Sequence, residues 1–536
     1  MSQLLDNAGD LGWVVQKFGG TSVGKFPDKI AVDIVRQYLS RNKVIVVCSA
    51  RSTGKKAEGT TSRLLTVFSK LLSIGSHYHT EEHRLELVED ARALVKAICD
   101  DHLQAVSSFI KSPEIQATLT AEITRECDEL VEYIVAAKRF NLEIKARAKD
   151  RVVSFGEKLS CRFMAALLQD VGVDAAYVDL SDRLHFDLNA RLDANFYAAA
   201  TAGLRAAIDE CGAKVPVVTG FFGNVPGSLI DGDIGRGYTD LCAALCAVGV
   251  AAEELQIWKE VDGIFTADPT KVPTARLLPS ITPSEAAELT FYGSEVIHHL
   301  TMEQVTHAQP PIPIRIKNVK NPLGNGTIVI PDGGSPSGKH VKPKAIDTTD
   351  LDKDYYRLEP SVETNGVSDA AQDSAISKSI PKRPTAVTIK DNITVINVHS
   401  NKRSISHGFF ARVFNILDGH KISVDLISTS EVHVSMAVHA ACIELGVFDS
   451  AIKALQVECG EVSVLPRMAI LSLIGAEMKD AIGISGKMFK TLGDHNINIE
   501  MISQGASEIN ISCVIDAANA TRAMNVLHTH LFTFLD

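Results

Sequence analysis

A lysine and two glycines near the start of the chain are the first residues whose types and spacing suggest chemistry. Lys17 lies at the end of a short apolar run that begins at Val14, and Gly19 and Gly20 follow. Glycine lets backbone N–H groups approach a phosphate closely, the start of the next helix adds partial positive charge, and lysine supplies a full charge. This pattern predicts an anion site. The alternative is a tight turn with an incidental surface lysine.

A second group lies in the glycine-punctuated stretch 231–240, which runs into an apolar helical segment over Leu241 to Val250. Here Arg236 and Asp240 stand among residues that permit unusual backbone conformations. The planar guanidinium of arginine binds a carboxylate at two points, which lysine cannot do. The stretch is therefore a candidate carboxylate site. The alternative is a hairpin turn with a solvated Arg/Asp pair.

A third group follows the apolar segment that begins at Leu255. The stretch from Trp258 to Asp268 combines aromatic and small polar residues with Asp-Gly and Asp-Pro turn signals. Such a loop could hold a nucleotide base and ribose. It could equally be ordinary loop packing.

These groups need a scaffold, and the sequence predicts an α/β fold. Apolar strand-like segments alternate with amphipathic helical segments, which indicates an open, mainly parallel sheet with helices on both faces. The strand over Lys43 to Ala50 ends in small polar residues, where such sheets place their ligands. We expect a helical excursion from Leu64 to about Lys149, a helix over Lys158 to Val171, and helix from Leu277 to Ala308.

Composition limits the functional classes. A chain of 536 residues should contain three or more domains. Its net charge of −11 argues against nucleic acid as the main partner, and its longest apolar run is too short to span a membrane. The ten cysteines are scattered without a C-x-x-C pair, which favours reduced thiols and a cytoplasmic location.

The last third of the chain differs in character. The stretch 333–384 is rich in small polar and charged residues, and we expect a largely disordered linker there. Beyond it, a pattern recurs after 75 positions, and each copy is typical of a small split-βαβ unit. Two such units could form one continuous sheet. Neither copy offers the spacing of a nucleophile, a base or a metal site, so we expect binding there. The paired positions are Phe414, Leu417, His420, Ile422, Val424, Leu426 and Ser428 with Phe489, Leu492, His495, Ile497, Ile499, Met501 and Ser503.

Four motifs in this order resemble the aspartokinases of the amino-acid kinase superfamily, and the repeat resembles two ferredoxin-like βαββαβ ACT domains. The similarity is to the fungal monofunctional type and covers nearly the whole chain apart from the linker. It implies a catalytic domain over 12–332 with a helical subdomain at about 62–150, and ACT domains over 385–466 and 467–536. The motifs are Lys17-Phe18-Gly19-Gly20-Thr21-Ser22-Val23, Ser154-Phe155-Gly156-Glu157, Gly235-Arg236-Gly237 and Val261-Asp262-Gly263-Ile264-Phe265-Thr266-Ala267-Asp268-Pro269.

This resemblance implies ATP-dependent phosphorylation of L-aspartate to 4-phospho-L-aspartate, the first step towards threonine, methionine and related amino acids. Magnesium would bridge the β- and γ-phosphates. The ACT domains would bind an amino-acid effector, with threonine expected as the feedback inhibitor and lysine or methionine left open. Effector pockets in this family lie at subunit contacts, so a homo-oligomer is implied.

Residue roles follow by matching positions. Lys17 would neutralise the transferred phosphoryl group, and Asp240 would orient that lysine. The residues that would bind aspartate are Ser49, Thr61, Glu157, Arg236 and Thr239. The residues that would surround ATP are Gly19, Gly20, Thr21, Ser22, Trp258, Lys259, Asp262, Gly263, Phe265 and Asp268. The effector pocket would include Ser406, Gly408, Phe409, Phe410, Val424, Asp425 and Ser430.

Several positions depart from the family pattern. Tyr238 and Thr239 stand where many relatives have glycine and serine, and Glu295 stands where many bacterial members have lysine. Thr239 keeps a hydroxyl, whereas Tyr238 adds bulk. His298 matches the family histidine and has either a catalytic or a structural role, and His299 follows it in place of proline.

Two other functions compete with this interpretation. One is a kinase for another carboxylate or a carbamate. Glu157 and Arg236 argue against it, because a free amino acid has an ammonium and a carboxylate, and binding both needs one negative and one positive side chain. The other is a non-catalytic amino-acid sensor, which Lys17 and Asp240 argue against.

Overall fold

The structure, a computed structural model, describes residues 4–54, 58–75, 80–140, 146–181, 183–184, 186, 191–223, 225–226, 228–232, 234–293, 297–330, 383–400, 408–430, 432–440, 446–505 and 509–532. The predicted linker therefore lies almost entirely outside the described residues.

The first part of the chain folds around an eight-stranded sheet. Its strand order is β3-β4-β2-β1-β5-β7-β8-β6, and every pairing is parallel except that between β7 and β8. This confirms the predicted open, mainly parallel sheet. The strands are β1 Trp13–Phe18, β2 Lys43–Cys48, β3 Ala175–Val178, β4 Val215–Thr219, β5 Glu254–Lys259, β6 Ser280–Ile281, β7 Ile314–Asn318 and β8 Thr327–Val329.

Helices cover both faces of this sheet because its central strands are apolar on both sides. In β2, Val44 and Val46 pack with the helical subdomain, while Ile45 and Val47 pack against α7 and α8 on the other face. The helices of this part are α1 Gly20–Lys25, α2 Arg36–Tyr38 after a π-helical turn over Lys29–Val35, α3 Thr60–Ile74, α4 Glu81–Phe109, α5 Pro113–Arg139, α6 Ala146–Asp170, α7 Ala194–Asp209, α8 Tyr238–Gly249, α9 Pro283–Phe291 and α10 His299–Thr306.

Two sequence expectations need correction. The stretch 151–157, expected to precede a helix, lies inside α6. The stretch 277–308, expected to be helical, contains β6 and two separate helices. Thr282 caps α9 in a reciprocal capping box with Glu285, and this fixes where α9 begins.

The last part of the chain forms a six-stranded antiparallel sheet in the order β10-β11-β9-β12-β14-β13. We call it the regulatory sheet, after the effector binding that the family resemblance implies for this part of the chain. The strands β9 and β12 run through both halves, so the proposed boundary at 466/467 falls inside β12. The elements are β9 Ala386–Ser400, α11 Phe409–Gly419, β10 Leu426–Thr429, β11 His433–His439, α12 Val447–Glu458, β12 Gly460–Ile474, α13 Ile484–Asp494, β13 Met501–Ser503, β14 Asn510–Asp516 and α14 Ala520–Phe532.

The internal repeat is visible in the backbone. His420 and His495 end equivalent helices, and the Nδ1 atom of each lies 2.8 Å from a carbonyl oxygen one turn earlier. The next residues, Lys421 and Asn496, both have positive φ, at 55° and 53°. Both halves therefore leave the helix through the same left-handed turn.

Polar contacts join the regulatory sheet to the part of the chain around the eight-stranded sheet, which we call the catalytic part after the same resemblance. Glu285 Oε1 accepts hydrogen bonds from the hydroxyl of Thr385 at 2.6 Å and from the backbone of Ala476 at 2.8 Å. Asn510 also donates to Glu288. The helix α9 thus connects the two parts through hydrogen bonds.

Candidate active site

Lys17 lies near the carboxyl end of β1, in the middle of the catalytic sheet. It stands opposite Val47 of β2 and Ile257 of β5. The following turn is tight, because a side chain on Gly20 would overlap the carbonyl oxygen of Ala50. The predicted anion site therefore lies where parallel sheets place their ligands.

Asp240 faces Lys17. It lies in the first turn of α8, and its carboxylate is 2.7 Å from the Lys17 ammonium. Burial raises the pKa of Asp240, but the charge of Lys17 and its hydrogen bond outweigh burial and bring the pKa below the ordinary value. The Asp240 carboxyl is thus ionised at neutral pH.

Glu157 supplies a second carboxylate from α6. Only 1% of its surface is exposed, and it accepts a hydrogen bond from the Thr239 hydroxyl at 2.9 Å. Burial raises the pKa of Glu157 to about 7. Four neighbours act in the opposite direction but do not outweigh burial: Thr239, the Tyr238 phenol, the Phe221 backbone and Lys17. A carboxylate this costly to charge is suited to a cationic partner.

The departure at Tyr238 therefore has a structural use. The side chain is buried, and its phenol lies close enough to Glu157 to lower the pKa of that carboxyl. Thr239 binds the same carboxylate, so two neighbouring residues at the start of α8 fix the position of Glu157. The sequence pattern indicated the Thr239 hydroxyl but not the contribution of Tyr238.

His298 also belongs to this site. It caps the start of α10, and its ring packs so closely over Gly237 that any side chain at that glycine would overlap it. Burial and the neighbouring His299 lower the pKa of His298, while the charge of Asp240 opposes the shift. The neutral ring thus packs against the turn that carries Arg236.

The remaining predicted aspartate ligands lie around this centre. Ser49 follows β2 and donates its backbone N–H to Phe18 at 3.1 Å, next to the glycine turn. Thr61 lies in the first turn of α3, which packs on α6 at Gly156. The backbone of Arg236 is placed in a 3-10 turn, whereas its side chain lies outside the described residues.

Two predicted nucleotide contacts need correction. Trp258 is 0% exposed and stacks on Phe18 in the core, with its indole N–H donated to Gln256, so its side chain offers no surface to a ligand. Ser22 is also 0% exposed, and its hydroxyl donates to Glu260 at 2.6 Å. Both side chains therefore lie in the protein interior, where they pack behind the site and make no contact with a ligand.

The loop after β5 carries the other predicted nucleotide residues. Asp262 accepts a hydrogen bond from Asn318 at 3.0 Å, and Gly263 has a φ of 151° with no room for a side chain beside Thr327. Asp268 caps a local turn by accepting from Thr270. The loop is thus held from both ends. Lys259 lies close enough to Asp240 to lower the pKa of its carboxyl. Phe265 is half-buried, and its backbone forms an isolated antiparallel β-bridge with Leu277. Thr21 is half-buried in α1.

The predicted effector pocket already holds an ion pair. Asp425 accepts a hydrogen bond from Lys390 of β9 at 2.8 Å, and both side chains are largely buried. The Lys390 ammonium also lies 4.7 Å from the ring centre of Phe291, at the end of α9. Nothing in the sequence pattern pointed to Lys390, because it is 35 positions from Asp425 on another strand.

The other pocket residues are placed unevenly. Phe409 is 5% exposed in the core of the first half, so the prediction that its side chain lines the pocket needs correction. Gly408 begins α11 with a φ of 83°, and Phe410 is partly exposed beside it. Val424 is half-buried and Ser430 exposed, while Ser406 lies outside the described residues, as does Glu295.

The described ranges contain no cluster of three His, Cys, Asp or Glu side chains that could hold a metal ion. They also contain no helix with the length and apolar character needed to cross a membrane. The nine cysteines within these ranges are all free thiols.

Two family models match the chain. The amino acid kinase family matches residues 12–318, which is more than half of the chain, and an ACT domain matches residues 471–531. The first match covers Lys17, Glu157 and Asp240.

Curated relatives match the chain over nearly its full length. An aspartate kinase of Gibberella moniliformis is 54% identical, with 98% of each chain covered. The aspartokinase of Saccharomyces cerevisiae is 48% identical, with 97% of this chain and 93% of the relative covered.

Solved structures show the same architecture. Escherichia coli aspartokinase III in complex with lysine and aspartate, described as a T-state, has a TM-score of 0.65 and 26% identity, with 97% of this chain and 99% of that chain covered. The R-state of the same enzyme with aspartate and ADP has a TM-score of 0.63 and 25% identity, with 98% and 100% covered.

Proposed function

The chain belongs to the aspartate kinases of the amino acid kinase family, and we propose that it phosphorylates the side-chain carboxylate of L-aspartate with ATP at the site around Lys17. The observation that carries this proposal is the Lys17–Asp240 pair, which lies beside a glycine turn at the carboxyl edge of a parallel sheet. Phosphoryl transfer needs positioning and charge stabilisation more than covalent chemistry by the protein.

Each member of this pair has its own role. The Lys17 ammonium neutralises charge on the transferred γ-phosphoryl group, next to the backbone of Gly19 and Gly20. Asp240 holds that ammonium in place and remains ionised, because Lys17 keeps its pKa low. Such a preorganised charge acts on the transition state without further rearrangement.

Aspartate binds through its two charged ends. Glu157 receives the α-ammonium, since a buried carboxylate with a pKa of about 7 gains most from a cationic ligand. Arg236 receives the α-carboxylate, and the fit of both charges favours a free amino acid over another carboxylate or a carbamate. Ser49, Thr61 and Thr239 complete the aspartate side of the site.

ATP lies between the glycine turn and the loop after β5. Lys259, Asp262, Gly263 and Phe265 line the adenosine side, while Trp258 supports the strand from beneath. Mg²⁺ would be carried by the ATP phosphates, which is its usual state in kinases.

An amino-acid effector binds the first half of the regulatory sheet at Asp425, which takes the ammonium of the effector. Lys390 occupies that position in this structure, at 2.8 Å. The ammonium of every amino-acid effector must displace Lys390 from Asp425, so threonine is proposed as the inhibitor on the family resemblance alone. As in the family resemblance, we place the pocket at a contact between copies of this chain and the enzyme in the cytoplasm.

One assay tests the reaction. The purified chain is given ATP and Mg²⁺ with each of a panel of amino acids, and hydroxylamine traps any acyl phosphate. Product with aspartate alone supports the proposal. Product with glutamate or N-acetylglutamate supports a related kinase, and a protein that binds amino acids without forming product supports a sensor. Adding threonine, lysine or methionine in turn then identifies the inhibitor.

A further inference from the structure

The loop that follows the proposed adenosine site is tied to the second half of the regulatory sheet. The backbone N–H of Val387 in β9 donates to the carbonyl of Thr266 at 2.8 Å. Asn525 of α14 donates to the carbonyl of Lys271 at 2.9 Å. Ala267 and Val272 pack into the apolar core formed with α13 and α14. The loop 265–276 therefore belongs to both parts of the molecule.

His528 lies at the centre of this contact. It belongs to α14 and is 1% exposed, and its ring stacks on Phe532 with the centroids 5.0 Å apart. Its Nε2 is 2.8 Å from the hydroxyl of Thr266, and its Nδ1 is 3.1 Å from the hydroxyl of Thr274. Both nitrogens thus bind the loop, at two positions eight residues apart.

The ring of His528 can serve both threonines in its neutral form. Burial lowers the pKa of His528, and the charge of Arg276 lowers it further, so the ring is neutral at neutral pH. A neutral imidazole has one N–H and one unprotonated nitrogen, so it donates to one hydroxyl and accepts from the other. The Thr266 hydroxyl oxygen also accepts from the backbone N–H of Arg276 at 2.9 Å, which ties the two ends of the loop together.

We propose that His528 is a positioning residue for ATP binding, acting through the loop that it clamps. This rests on the proposed function, which places the adenosine at residues 262–265, immediately before Thr266. A catalytic part without α14 would keep every residue of the site but would lose the partner that fixes this loop. The affinity for ATP therefore depends on the last helix of the regulatory sheet.

Kinetic constants of two variants of His528 test this. In His528→Asn the side chain reaches only the position of Nδ1, and in His528→Gln it reaches that of Nε2. We expect His528→Asn to raise the KM for ATP about tenfold, the effect of losing one buried hydrogen bond. The KM for aspartate should stay within about twofold. A glutamine at position 528 keeps the contact with the Thr266 hydroxyl, and Thr266 is the residue next to the adenosine site. His528→Gln should therefore retain most of the affinity for ATP.

The matched control is Ser512→Ala, which breaks the buried 2.7 Å hydrogen bond between Ser472 and Ser512 in the same half without touching the loop. This control should lower thermal stability and leave the KM for ATP unchanged. A KM for ATP that stays constant in the His528 variants, or a parallel rise in both KM values as in a merely unstable protein, would overturn the proposal. If the His528 variants do not fold, Thr266→Val removes the hydroxyl from the loop side instead. A constant KM for ATP in Thr266→Val, or a parallel rise in both KM values, would then overturn the proposal.

Asp262→Ala, measured in parallel, separates this inference from the proposed function. If the KM for ATP is unchanged in Asp262→Ala, the assignment of the loop to the nucleotide has failed. If that variant raises the KM for ATP while the His528 and Thr266 variants do not, the nucleotide site stands and only the role of His528 is refuted.

Discussion

Two buried Lys–Asp pairs, one in each part of the molecule, have nearly the same geometry and different surroundings. Lys17 and Asp240 lie 2.7 Å apart in the catalytic part, and Lys390 and Asp425 lie 2.8 Å apart in the regulatory sheet. In the glycine turn after Lys17, a side chain built on Gly19 would meet no atom within 4 Å. The Lys390 ammonium instead lies 4.7 Å from the centre of the Phe291 ring.

The difference shows that pairing alone does not define a function. Gly19, two residues after Lys17, leaves room in the turn for an anion beside the first pair. Lys390 already neutralises Asp425, so a cationic ligand there must displace it. The first pair therefore has room for a ligand next to it, whereas the second is a contact between β9 and the residue before β10 that a ligand would have to open.

The largest effect should come from the catalytic pair. Lys17→Ala should lower kcat by about three orders of magnitude, because it removes a charge that stabilises the transition state. Steady-state kinetics with saturating ATP and aspartate measure this, and circular dichroism checks that the variant folds. Activity close to that of the unmodified chain would refute the role of Lys17.

The next effect should come from the regulatory pair. Asp425→Ala should raise the inhibitory concentration of the effector about 10- to 100-fold, the loss expected for a hydrogen bond to a charged group. Uninhibited kcat should stay within about twofold. Asp391→Asn, which breaks the exposed Lys271–Asp391 pair at the same interface, is the control. Unchanged inhibition in Asp425→Ala would mean that the effector binds elsewhere.

Glu157 extends the comparison to pH. Its pKa is raised to about 7, so the carboxyl is protonated below that pH and loses its attraction for an ammonium group. We expect kcat/KM for aspartate to fall about tenfold per pH unit below 7 and to level off above 8. Glu157→Gln should have a lower kcat/KM without this dependence. A profile that is identical in the two proteins would contradict the assignment.

The smallest effect should come from Lys390. Lys390→Met removes the internal ammonium that the effector must displace and keeps an unbranched apolar stem beside Phe291. We expect the inhibitory concentration to fall about threefold, since a competing contact of modest strength is lost. Lys271→Met is the matched control and should leave inhibition unchanged. Weaker inhibition in Lys390→Met would show that Lys390 supports the effector instead of competing with it.

The sequence predicted the contact between Lys17 and Asp240 because both residues lie in short motifs next to predictable elements. Lys17 follows an apolar strand and Asp240 begins a helix, so the fold of a parallel sheet was enough to bring them together. Prediction failed for Trp258 and Ser22, whose motif positions are right but whose side chains point into the protein. A motif gives the order of residues and not the face on which each side chain lies.

The amino-acid sequence by itself determined the family, the α/β sheet, the internal repeat and the residue types of the site, because these are encoded in local patterns of apolar residues, glycines and charges. Only the tertiary structure decided that Tyr238 supports Glu157, that Lys390 neutralises Asp425 and that His528 clamps the loop after β5. Lys390 and His528 meet their partners across 35 and 262 positions of chain. Packing between elements sets such contacts, and no local pattern records them.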